Sequence, residues 1–122
     1  MKLRILDDSI RLRLDREEVE SLAQGKKIAC TTRFPAGPSF CYELTTHAGG
    51  AAAEFGNQGI TVTLSTDIVN SWASDETAVS IRESMALPQG ELRILVEKDF
   101  ECLDPREGES QSNRFPNPKK AV

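Results

Sequence analysis

The strongest constraint in this chain is a pattern that occurs twice. Residues 10–23 read Ile-Arg-Leu-Arg-Leu-Asp-Arg-Glu-Glu-Val-Glu-Ser-Leu-Ala, and residues 60–73 read Ile-Thr-Val-Thr-Leu-Ser-Thr-Asp-Ile-Val-Asn-Ser-Trp-Ala, fifty positions on and without a gap. Ile10 matches Ile60, Leu14 matches Leu64, Val19 matches Val69, Ser21 matches Ser71 and Ala23 matches Ala73. Where identity fails, apolar character persists, with Leu12 against Val62 and Leu22 against Trp72. In each copy a period-two alternation gives way to apolar residues at helical spacing. Each copy therefore predicts a half-buried strand running into a short amphipathic helix.

The flanking residues extend both copies in the same way. Residues 2–6 alternate polar and apolar, and Asp7-Asp8 is a turn signal, so 2–6 and 9–14 read as a hairpin. Ile10, Leu12 and Leu14 then share one face, and Arg11 and Arg13 the other. Asp15 is placed to cap the helix, with Glu18 at the spacing that returns a side chain to the cap amide. Val19, Leu22 and Ala23 form its buried stripe, and Gly25 stops it. Residues 27–33 and 39–45 read as a second hairpin around Pro35-Ala36-Gly37-Pro38. With that turn centred near Ala36, Cys30 is expected opposite Cys41, a pair that reads as a cross-strand disulfide, as half of a metal site, or as two reduced thiols packed as small apolar side chains.

The second half repeats the order. A weak strand over 51–55 turns at Gly56-Asn57-Gln58-Gly59 into a clear strand over 60–64. Ser65 is placed to cap the next helix, whose apolar stripe is Ile68, Val69, Trp72 and Ala73, and Asp75 ends it. Trp72 stands where the first copy has Leu22, which points to core packing rather than ligand stacking. Strands over 77–82 and 92–97 follow, joined by a loop holding Leu87-Pro88-Gln89-Gly90.

Each half is thus strand, strand, helix, strand, strand. A chain of 122 residues supports one modest core, and neither half is large enough to bury its own apolar face. The expected fold is mainly β with two short helices (α+β), a pseudo-twofold barrel built from two ββαββ repeats. The half-repeats span 2–47 and 51–97 within a single barrel domain over 1–103. Residues 104–122 are expected to be an extended or flexible C-terminal tail, since their composition is polar and rich in proline.

Charge narrows the function classes. The net charge is −4, unevenly placed: residues 1–50 carry eight Lys/Arg against seven Asp/Glu, and the remainder seven against twelve. That balance disfavours nucleic acid and anionic membranes as partners, because phosphate contacts need local positive charge. The charged start has no signal-peptide core, and no run approaches the ~18 apolar residues of a spanning helix, so no membrane partner is expected. Three cysteines, Cys30, Cys41 and Cys102, do not make a secreted disulfide framework, and a cytoplasmic location is expected.

Four groups of residues carry candidate chemistry. Arg4, Arg11, Arg13 and Arg16 read either as an anion-binding stripe or as a solvated face. Cys30, Cys41 and Cys102, with His47 as the only histidine, read either as metal ligands or as reduced thiols and an exposed imidazole. Glu97, Asp99, Glu101 and Asp104 read either as a hard-cation site or as a solvated acidic edge. Phe100, Phe115 and Pro116 read either as a partner-docking tail or as a flexible terminus. The chain contains no phosphate-cradling glycine loop, no nucleophile elbow and no Cys-x-x-Cys, and no cofactor is implied.

Two resemblances attach to these residues. The segment Ile60-Thr-Val-Thr-Leu-Ser-Thr-Asp-Ile-Val-Asn-Ser-Trp-Ala73 makes each half resemble the swapped-hairpin unit of AbrB-type transition-state regulators and many antitoxins. That resemblance implies intertwined halves and DNA binding through basic residues, here Arg4, Arg11, Arg13 and Arg16. The whole chain also resembles a small bacterial protein family of unknown function, with its Lys2-Leu-Arg-Ile5 opening, Leu95-Val-Glu-Lys-Asp-Phe-Glu-Cys-Leu103 and Phe115-Pro-Asn-Pro118. The second resemblance implies no activity. The function expected is a non-enzymatic bacterial binding or interaction domain with an unknown protein partner. The alternatives are a swapped-hairpin nucleic-acid-binding regulator and a small metal-binding protein or enzyme.

Overall fold

The structure is a computed structural model that describes residues 1–100 and 115–116. In chain order it runs β1 (Lys2–Leu6), β2 (Ser9–Leu14), α1 (Arg16–Ala23), β3 (Ile28–Thr32), β4 (Phe40–His47), β5 (Ala52–Gly56), β6 (Gly59–Ser65), α2 (Thr66–Ser74), β7 (Ser80–Ala86) and β8 (Glu91–Lys98). The strands form two four-stranded sheets, β1-β2-β8-β7 and β3-β4-β6-β5. In each sheet the two outer pairings are antiparallel and the central one is parallel. Each sheet therefore takes one hairpin from the first half of the chain and one from the second.

The expected closed barrel is not formed. Among the described residues no strand pairing joins the two sheets, which leaves β1, β7, β3 and β5 as edges. Where β1 approaches β3 and β4, side chains bridge the gap instead of a ladder. The Tyr42 hydroxyl donates to the Met1 carbonyl at 2.7 Å, and the Cys30 thiol lies 3.7 Å from the same oxygen.

Alternation in the central strands fills the space between the sheets. Ile10, Leu12 and Leu14 from β2, Leu44 from β4, Ile60, Val62 and Leu64 from β6, and Ile94 and Val96 from β8 are all buried. Val19 and Leu22 of α1 and Val69 and Trp72 of α2 join the same cluster, so the two helices help close one core. Trp72 is a core residue, as its match with Leu22 predicts. Its indole N–H donates to the Val79 carbonyl at 3.2 Å, which satisfies the one polar group it buries.

The helix termini show how local sequence sets boundaries. Glu18 N–H donates to Asp15 Oδ1 at 2.9 Å and Asp15 N–H to Glu18 Oε1 at 3.0 Å, a complete capping box. At the other end Gly25, with φ at +85°, lets Gly25 N–H reach Leu22 O and Lys26 N–H reach Ser21 O. Those two bonds are the Schellman pattern. Ser65 occupies the N-cap of α2 but its hydroxyl makes no capping bond. It remains within β6, paired to His47, so its position is as expected and its capping role is not.

Two hairpins differ from expectation in register or extent. The 33–39 connection is centred on Ala36 itself, which pairs Cys30 with Tyr42 and Thr31 with Cys41. A one-residue step moves a side chain to the other face, so the two thiols point to opposite sides of the sheet and are free. The last hairpin starts later than its composition suggests. Asp75 Oδ1 accepts from Thr77 N–H at 2.9 Å and from its hydroxyl at 2.7 Å, which holds Thr77 in a turn and delays β7 to Ser80.

Candidate functional site

Sheet register places the arginines. Arg4 pairs with Arg11, Arg11 with Leu95, and Leu95 with Arg82, one continuous row across four strands. The neighbouring rows are Lys2-Arg13-Glu97-Ser80 and Leu6-Ser9-Arg93-Ser84. Directly paired residues share a face, and Leu12, Val96 and Ile81 between these rows are buried in the core. The three rows therefore lie on the outer face of the first sheet. They carry Lys2, Arg4, Arg11, Arg13, Arg82 and Arg93 against one carboxylate, Glu97, and the next row of the same face adds Glu91, paired with Ala86.

The charges on this face are unevenly satisfied. Glu97 Oε1 accepts from Arg11 Nε at 2.7 Å and from Arg13 Nε at 2.6 Å. Burial pushes the Glu97 carboxyl up, but hydrogen bonds and charge from the two guanidiniums more than reverse this and hold it below its ordinary value. Lys2 pairs with Asp99 at 3.2 Å. Arg4, Arg82 and Arg93 make no ion pair among the described residues. They line a shallow groove of about 460 Å³ together with Arg11, Ser9, Ser84 and one carboxylate, Glu83. Two like-charged pairs, Lys2 with Arg13 and Arg4 with Arg11, sit directly opposite one another. Such like-charged pairs destabilise a sheet, and the ion pairs of Arg11 and Arg13 with Glu97 and of Lys2 with Asp99 offset part of that cost, leaving Arg4 uncompensated among the described residues.

Of the arginines expected to bind anions, Arg4, Arg11 and Arg13 are brought together here. Arg16 is not: it lies on α1 with its guanidinium 5.7 Å from the centroid of the Phe115 ring. Arg82 and Arg93 went unforeseen, because only the long-range parallel pairing of β2 with β8 brings them beside Arg11. The faint sequence signal was alternation in 92–97, which puts Arg93 on the face of Glu97.

The thiols and the imidazole do not converge. Cys41 Sγ lies 3.8 Å from Glu43 Oε1, whereas Cys30 sits beneath Tyr42 on the opposite face. His47 ends β4, exposed, and its Nδ1 accepts from Gly49 N–H at 2.9 Å. Among the described residues no three His, Cys, Asp or Glu side chains are grouped to hold a metal ion. Cys102, Glu101 and Asp104 lie outside the described residues. Glu97 and Asp99 each face cations instead of forming an open acidic edge.

Phe100 and Phe115 meet edge to face with ring centroids 5.8 Å apart, and Phe115 N–H donates to Asp99 O at 3.0 Å. Pro116 beside them is exposed. Lys98 was also unforeseen. It is 4% exposed, its ammonium donates to Asp75 O at 2.9 Å, and it lies 5.4 Å from the Phe115 ring centroid. Burial pushes its pKa down, and the charges of Asp75 and Glu76 only partly oppose this.

A family model described as "Family of unknown function (DUF7009)" matches residues 1–119 of the chain. No curated protein and no solved structure matches it. No helix among the described residues is long and apolar enough to cross a membrane.

Proposed function

The chain belongs to this family of unknown function, and we propose that it is a non-enzymatic binding domain that docks the phosphate backbone of a nucleic acid on the outer face of its first sheet. One observation carries this reading. Arg4, Arg82 and Arg93 stand without ion-pair partners among the described residues, in adjacent rows with Arg11 and Arg13. Guanidinium suits phosphate because its planar fork donates two parallel hydrogen bonds and stays charged at any working pH. The three rows contain no aromatic side chain, so the face offers no stacking platform for unpaired bases. The binding proposed is therefore electrostatic and largely independent of sequence.

The net charge of −4 favours a second reading, an acidic protein segment on the same face. Fluorescence anisotropy separates the two. A labelled mixed-sequence DNA duplex should bind at low salt and be released steeply as salt rises. Binding of poly-glutamate without binding of DNA would transfer the proposal to a protein partner. Absence of binding to either would end it.

We also read residues 1–103 as one domain and the units 2–47 and 51–97 as a tandem duplication that exchanges hairpins. This is supported by the shared parallel centre of the two sheets. The free thiols of Cys30 and Cys41 suit the cytoplasm.

A further inference from the structure

We infer that Glu97 is a built-in competitor for the anion site, a carboxylate that occupies Arg11 and Arg13 until a polyanion displaces it. The inference rests on the proposed docking face and concerns how that face is regulated.

Glu97 is not a rim residue. It lies on β8, a central strand, in the row beside Arg4 and Arg11, and it is flanked in register by Arg13 and Ser80. A single oxygen, Oε1, takes both Nε–H donors. That is the arrangement a bridging phosphate oxygen would adopt between two guanidiniums. The carboxylate is fixed at its Cα by the ladder on both sides of β8, so it cannot leave the face. Only its side chain can swing away when stronger acceptors arrive.

Two consequences separate this from a merely structural ion pair. In the resting protein the open anion site consists of Arg4, Arg82 and Arg93. A single small anion can use those three but gains too little to free the other two. A ligand carrying several phosphates engages all five, because each phosphate added repays part of the cost of uncoupling Glu97. The face therefore discriminates between dense polyanions and free monoanions such as inorganic phosphate.

The test compares the wild-type protein with Glu97→Gln, using a labelled DNA duplex as the probe and inorganic phosphate as the competitor. E97Q should bind the duplex about tenfold more tightly at low salt, with a salt slope steeper by about one, for the single negative charge removed from the face. Phosphate should compete better against E97Q than against the wild type. Nitrogen-detected NMR of the Arg11 and Arg13 Nε–H groups gives a readout that stability alone would not move. Their signals should shift toward free arginine in E97Q and respond to duplex in both proteins. Should E97Q fold poorly, Glu97→Asp withdraws the carboxylate by one methylene while keeping its charge, and a smaller change of the same sign is expected. If the wild type binds duplex and E97Q binds no tighter with an unchanged slope, the competitor role is overturned and the docking face stands. If neither protein binds any polyanion, both fall.

Discussion

The ammonium of Lys98 lies 5.5 Å from the centroid of the Trp72 ring, inside the end of the sandwich covered by α2. A charged amine is held where alternation predicts an apolar side chain, since its register partner is the fully buried Leu14. The hydrogen bond to Asp75 O and the aromatic faces replace part of the water it lost.

Lys98 makes stability depend on alkaline pH. An amine whose folded pKa lies below its ordinary value of 10.5 sheds its proton first in the folded state. Between the lowered value and 10.5 the unfolded chain binds more protons, so stability rises with pH across that window. Lys98→Met keeps the stem and removes the titration. Urea denaturation at stepped pH should show the wild type gaining on K98M as pH rises toward 10.5.

Tyr42 acts in the opposite sense just above. Burial first, then the hydrogen bond and charge of Cys30, push its phenol from 10.0 up to about 12. The folded state holds that proton after the unfolded chain has lost it. Stability from this group is present below 10.0 and is lost as pH rises through about 12. Tyr42→Phe should flatten the decline, at the cost of the bond to Met1 O.

Arg4 offers a separation of stability from binding. It sits directly opposite Arg11. Arg4→Glu turns a repulsive cross-strand pair into an attractive one and should stabilise the fold by roughly 0.5 kcal/mol. The same change should weaken duplex binding and lower the salt slope. Arg82→Ala and Arg93→Ala should each lower that slope by about one with little effect on stability. Denaturation and anisotropy on the same preparations check both halves.

The two helix N-termini should respond differently to the same truncation. Asp15→Ala removes a bonded cap and should cost about 1 kcal/mol, whereas Ser65→Ala removes a hydroxyl that caps nothing and should be near neutral. Urea midpoints at constant slope measure the difference.

Gly59 tolerates no side chain. Its φ is +145°, and a Cβ there would fall 1.7 Å from the Cys41 carbonyl oxygen, across the parallel β4–β6 contact. Gly59→Ala should destabilise by more than about 3 kcal/mol, while Gly25→Ala, at φ +85° with open space around it, should cost about 1 kcal/mol. Thermal unfolding of the two variants distinguishes backbone strain from backbone collision.

What could be read beforehand was local. The alternation of Ile10, Leu12 and Leu14 fixed a face, the Asp15–Glu18 spacing fixed a helix start, and the match of Trp72 with Leu22 fixed a core position. The strand order within each half was legible for the same reason. What could not be read depended on contacts far apart in the chain. The Arg11–Glu97 and Arg13–Glu97 bonds span more than eighty residues and exist because β2 runs parallel to β8. No local rule sets that register, so Arg82, Arg93 and Glu97 were invisible as neighbours of Arg11. The thiol pairing failed on a single residue of register, and the barrel failed because edge-to-edge pairing is a property of the assembled sheets.

The side-by-side alignment of β2 with β8 has a bearing on synthesis. The second strand to leave the ribosome can pair at once with the first, but finds its parallel ladder partner only when residues near 98 have emerged. Until then the first hairpin has one lone edge and a greasy underside with nothing to cover it. A nascent chain of this protein must wait, shielded or soluble by its arginines alone, for almost its whole length to be made.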